Sequence, residues 1–144
     1  MVRTVSTNIK GAIFARMYPG EDLIKTIEKV AIENDVRSGQ LSLIGAVSIA
    51  KLRWFNRTTG EYNEFVVNRD TEIVSCMGNI ARTRDGDLVV HAHMIVADED
   101  GTCYGGHLAP GCEVSVVAEL IIIEMEQEIF RVRDEVTGLG LMDL

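Results

Sequence analysis

Apolar positions recur at helical spacing only once in this chain. Leu23, Ile27, Val30 and Ala31, with Ile24 at the margin, form a stripe at the 3.6-residue period. Pro19-Gly20 stops the segment before it, Glu21 and Asp22 fall where a helix's first turn favours carboxylates, and Asn34-Asp35 offers a stop because Asn tolerates the left-handed conformation. One helix of about 14 residues is predicted. Elsewhere the period is two. After a polar lead-in over residues 1–9, Gly11 to Tyr18 reads as a strand, Leu41 to Ile44 as a short one with a bend or bulge at Gly45, and Val47 to Asn56 as its successor. Arg57-Thr58-Thr59-Gly60 makes a hairpin turn into Glu61 to Val67. Asn68-Arg69-Asp70 turns again into Thr71 to Arg82, with an irregularity at Gly78. Turns at Asp85-Gly86, Asp100-Gly101 and Ala109-Pro110-Gly111 separate the strand carrying His91 and His93, the short strand Cys103 to Leu108, and the longest one, Cys112 to Glu126. Glu128 to Glu135 adds an edge strand.

Strands joined by short turns pair antiparallel. The expected architecture is α+β: a mostly antiparallel, twisted sheet of about seven strands with one main helix packed on it, in a single domain over residues 1–144. Val116 to Ile123 is apolar on both parities, apart from Glu119, and is expected to be buried on both sides. One helix cannot cover two faces of a sheet, so further subunits are expected to cover the rest.

Composition narrows the function. The 144 residues suit one domain, and 47% apolar content suits a packed core. A net charge of −8 repels a phosphate backbone. No basic cluster offsets it: Arg82 and Arg84 are followed by Asp85 and Asp87, and acids flank Arg131 and Arg133. The three cysteines, Cys76, Cys103 and Cys112, form no disulfide framework and read as small buried hydrophobes. MVRTVSTNIK has no signal-type apolar core, and the longest apolar run is broken by Glu119, so the expectation is a cytoplasmic protein with no membrane span.

The candidate chemistry lies between Leu88 and Leu108, which holds all three histidines. In a strand His91 and His93 share a face with Val89, Ile95 and Ala97, while Val90, Ala92, Met94 and Val96 make an apolar, core-facing side. His107 joins them only in one hairpin register. A two-residue loop would pair Met94 with His107, on the wrong face. A three-residue loop, Glu99-Asp100-Gly101, pairs Asp98 with Thr102 and His93 with His107, with Gly101 at the left-handed position. Opposed residues then lie about 4.5–5.5 Å apart and same-face neighbours about 6.8 Å apart, so three imidazoles converge on one ion. Three histidines with an open fourth position are a ligand-accepting zinc arrangement. Gly105-Gly106 beside His107 lets the backbone approach closely and leaves room. The competing reading is a pH-sensitive polar cluster between subunits. Glu119, inside the most apolar strand, needs a partner, for which Arg16 and Arg53 are the candidates. Asp98, Glu99 and Asp100 lack calcium-loop spacing and read as turn residues. No phosphate-cradling loop, nucleophile elbow or paired-cysteine zinc motif is present.

From about Gly11 to Glu126 the chain resembles the plants-and-prokaryotes-conserved (PPC) domain family. The resemblance rests on Pro-Gly-Glu-Asp-Leu at 19–23, Ile44-Gly45, Gly78-Asn79-Ile80, Ala118-Glu119, and above all His-Ala-His at 91–93 with D-E-D-G-x-x-Y-G-G-H-L at 98–108. It implies a helix on a mostly antiparallel sheet, assembly as a homotrimer, and zinc held by His91, His93 and His107. In plants the domain is joined to AT-hooks and serves in transcriptional regulation. This chain has no Arg-Gly-Arg hook and no basic arm, so DNA is not the expected partner. The expected function is that of a stand-alone, homotrimeric domain with a zinc-like ion and room for a small-molecule ligand. The alternatives are a DNA-associated regulator, a self-association module, and a metal-dependent enzyme whose ion polarises a carbonyl or activates water.

Overall fold

The computed structural model describes residues 2–144. The elements are β1 (Ile9–Met17), α1 (Leu23–Glu33), β2 (Gly39–Asn56), β3 (Glu61–Thr83), β4 (Leu88–Ala97), β5 (Cys103–Leu108), β6 (Glu113–Met125), β7 (Phe130–Arg133) and β8 (Gly140–Met142). They form one eight-stranded sheet in the order β1-β6-β2-β5-β4-β3-β7-β8. An additional pairing of β2 with β3 closes β2, β5, β4 and β3 into a circuit of neighbours. Every pairing is antiparallel except β3 with β7, so the sheet is mixed and has one strand more than expected.

The helix is shorter than its sequence signals. Asp22 is not in the first turn but is the N-cap: its carboxylate accepts from the Lys25 amide, and the helix begins at Leu23. At the other end Asn34 caps with φ −104°, and Asp35 is the residue in the left-handed region, at φ 51°. The buried face is Leu23, Ile27 and Ala31. It packs into a core with Met17, Leu41, Leu43, Met94, Leu120 and Ile122.

The irregularity expected at Gly45 is present, but neither of two predicted breaks ends a strand. The segments around Gly45 join into one strand, β2, which absorbs the irregularity as register shifts between Leu43 and Gly45 and between Val47 and Ile49. Asn68-Arg69-Asp70 stays inside β3 as a register shift opposite Ser48 instead of turning. Turn propensity loses there because β3 has partners over nearly its whole length, first β2 alone and then β2 and β4 together.

β6 is buried on one side only within the chain. Val114, Ala118, Leu120 and Ile122 face the core. On the other side Glu119 is exposed and Ile121 half-buried, beside Phe14 at 76% and Ile44 at 56% exposure. No helix of the described residues is long and apolar enough to cross a membrane.

Candidate metal centre

The register of the β4–β5 hairpin decides where the histidines go. Asp98 donates its amide to the Thr102 carbonyl at 3.1 Å, and Gly101 donates to the Asp98 carbonyl at 2.9 Å. That leaves a three-residue loop with Gly101 at φ 77°, a conformation a side chain would strain. The Asp98 carboxylate fixes the loop by accepting from the Asp100 and Thr102 amides, and it pairs with Arg69 at 2.9 Å. His93 consequently lies opposite His107. On β4 the core side is Ala92, Met94 and Val96, as the alternation requires.

The three rings stand 5.3, 5.1 and 5.4 Å apart, centroid to centroid. One nitrogen from each lies within 4.8 Å of the others. His91 and His107 are half-buried and His93 is exposed, so the cluster opens toward solvent through His93. On the neighbouring strand Gly78 lies opposite Ala92, where a Cβ would come 2.1 Å from the His91 carbonyl oxygen, so only glycine lets β3 approach β4 there. The predicted glycines of β5 serve the same purpose. At Gly106 a Cβ would meet the Arg53 carbonyl oxygen at 2.9 Å, and at Gly105 it would meet the Ile95 side chain at 3.2 Å.

The electrostatics keep protons off. Burial, and then the neighbouring His91 and His93, push His107 down from its ordinary value of 6.5 to about 4. His91 is lowered as well, by burial first and then by Arg131 and His93. Nδ1 of His107 is buried without a hydrogen-bond partner. An unprotonated imidazole with an orphaned nitrogen, in a group of three, is a donor set that fits a borderline divalent ion such as zinc.

Sequence reasoning missed the remaining wall. Arg131 on β7, only 8% exposed, reaches Nδ1 of His91 at 2.9 Å, Oδ1 of Asn79 at 2.8 Å and the Gly140 carbonyl at 2.6 Å. Tyr62 packs on the other side, its ring 5.1 Å from that of His107. These residues and Gly138 to Leu141 line a cavity of about 490 Å³ onto which the three histidines face. The Arg-Val-Arg spacing at 131–133 carries no sign of this, because it depends on the parallel docking of β7 against the end of β3. Tyr62 follows from the β2–β3 register, which places it opposite Phe55 near the β5 edge.

Other candidates lie elsewhere. Glu119 is exposed, not buried, and sits across from Arg16 on the open face of the sheet. Among the described residues the two form no ion pair: Arg16 donates to the Tyr18 hydroxyl at 2.7 Å, and Arg53 pairs with Glu64. Glu119 and Arg16 line a separate hollow of about 440 Å³ with Phe14 and Ile44. Cys76 and Cys112 are buried, and burial pushes their thiols up to about 12 and about 11. Cys103 is exposed, contrary to expectation, because it follows the loop at the open end of the hairpin.

Comparison with known proteins decides the family. The model of the Plants and Prokaryotes Conserved (PCC) domain matches residues 5–126. This chain belongs to that family. A metal-containing protein from Archaeoglobus fulgidus superposes with a TM-score of 0.90 at 28% identity, covering 99% of this chain and 100% of that one. A plant- and prokaryote-conserved protein from Pyrococcus horikoshii gives 0.90 at 27% identity, with 99% and 98% covered. A protein called bifunctional protein GlmU, from a Synechococcus strain, is 34% identical over 125 residues, which are 85% of this chain and 19% of that protein. The chain thus spans about a fifth of the length of that curated relative. Arg131 and the strands β7 and β8 lie beyond the residues the family model matches.

Proposed function

We propose that this PPC-domain protein is a metal-binding homotrimer in which His91, His93 and His107 hold a zinc ion with one position open to the cavity. The observation that carries the reading is the set of three nitrogens within 4.8 Å, one residue of which has an orphaned, buried Nδ1. The similarity to a metal-containing archaeal protein supports it. Bound there, the ion would polarise a carbonyl or lower the pKa of a water. The chain's own residues disfavour protonation of His91 and His107, pack the Tyr62 ring beside His107, and present Arg131 to the same space.

Trimer formation is supported by the apolar face that Phe14, Ile44 and Ile121 leave open in one chain. The three unpaired thiols suit a reducing compartment, the cytoplasm. Zinc titration against a competing chelator tests the site, with tight binding by the wild type and loss of it in His107→Ala expected. Light scattering on the same sample tests the assembly, and a monomer would contradict it.

A further inference from the structure

Arg131 presents a chemical conflict with the metal reading. A guanidinium only donates, so its 2.9 Å contact with Nδ1 of His91 occupies the one lone pair of a neutral imidazole. A ring that binds a metal must give that same pair to the ion, whichever nitrogen it uses. If it uses Nδ1, Arg131 is displaced. If it uses Nε2, Nδ1 carries a proton and faces another donor. Metal binding and the Arg131–His91 hydrogen bond therefore exclude each other.

The displaced donor needs an acceptor. Arg131 is buried, and none of its contacts is a carboxylate: they are His91, Asn79 and the Gly140 carbonyl. Among the described residues it has no ion-pair partner. Its Nε is buried with no hydrogen-bond partner at all. Nε and Nη2 lie on one edge of the guanidinium, the edge that takes a planar carboxylate in two parallel hydrogen bonds. A buried cation without a counter-charge is costly, and a divalent ion a few ångströms away adds to the excess. The loop that backs this wall is fixed, because the Asp134 carboxylate accepts from the Thr137 amide and hydroxyl. Val89, Leu139 and Leu141 leave the rest of the cavity apolar.

We propose that Arg131 is the anchor for a small aliphatic carboxylate that binds beside the metal ion, with its charged end between Arg131 and the open metal position and its chain against Val89, Leu139 and Leu141. This rests on the three-histidine site holding a metal. The ligand's charge balances the ion and the guanidinium together, and its oxygens replace the acceptor that His91 withdraws. The specificity residue then comes from the segment after residue 126, outside the matched domain, so relatives that differ there would differ in ligand.

The test uses cobalt(II) as the ion and acetate as the probe, with acetamide as the neutral isostere. Acetate is titrated into the cobalt-loaded wild type, Arg131→Gln and Arg131→Lys while the visible absorption is followed. Acetate should perturb the wild-type spectrum and acetamide should not. Acetate affinity should fall about 10- to 100-fold in Arg131→Gln, the loss expected for charge-assisted hydrogen bonds, and recover partly in Arg131→Lys. Cobalt affinity should stay the same or rise in Arg131→Gln, because nothing then competes for the His91 lone pair. A wild-type spectrum that ignores acetate overturns the proposal even if the variants fail to fold, as does an Arg131→Gln protein that binds acetate like the wild type. A wild type that takes up no cobalt overturns the metal reading and this proposal together.

Discussion

The cavity has two walls built on different scales. The β4–β5 wall carries all three histidines within one hairpin, and its geometry follows from strand alternation, a three-residue loop and the glycine at its end. The β7 wall carries Arg131, which arrives by parallel pairing with the far end of β3 after the chain has completed the rest of the sheet. The first wall is local, the second topological. The proposed metal site is specified by a single hairpin, whereas the group proposed to anchor a ligand beside the metal comes from a separate segment.

The largest effect should come from breaking the local wall's register. Deleting Glu99 shortens the loop to two residues and turns His107 to the opposite face. Metal affinity should fall by more than about 100-fold, beyond the 10- to 100-fold that loss of an outer-shell partner costs, and Leu108 leaves the core with it. A chelator competition assay reads the first effect and thermal melting the second. Gly78→Ala should follow. Its new Cβ meets the His91 carbonyl and Ala92, both backbone-held, so the β3–β4 pairing must open, at about 1–3 kcal/mol by denaturant titration, and His91 moves with it.

Smaller effects should distinguish the walls. Gly101→Val strains the left-handed loop position by about 1–2 kcal/mol while leaving the topological wall in place. Asn79→Ala removes an acceptor from Arg131 without touching the hairpin register, and should weaken acetate binding more than metal binding in the cobalt titration. The smallest effect concerns protons. His107 has a lowered value in the folded, metal-free protein, so the unfolded state takes up the proton first. Its contribution to stability is complete above about 6.5 and is lost as pH falls toward about 4. The melting temperature of metal-free wild type should therefore fall relative to that of His107→Gln as pH falls through that window.

The same difference of scale explains what could be read in the sequence. The His93–His107 pairing was legible because one wrong loop length puts His107 on the core side. Helix α1 was legible from its stripe, though Asp22, a first-turn candidate by composition, is the cap because its side chain reaches forward to accept from the Lys25 amide. The turn expected at Asn68-Arg69-Asp70 failed because β2 pairs on both sides of it, a partner that local propensity does not see. Glu119 was expected to be buried because its strand is apolar on both parities. Its side chain faces outward with Phe14 and Ile44, toward the face that one chain leaves open. Arg131 gave no signal, since nothing around residue 131 indicates which strand β7 will join.

Metal analysis of protein purified without chelator, wild type against His93→Ala, tests the central claim most directly. His93 is the exposed member of the cluster, so its loss should leave the fold intact. The expected result is near-stoichiometric zinc in the wild type and almost none in the variant, whereas a wild type with metal content near zero, or a variant that keeps its metal, would contradict the account.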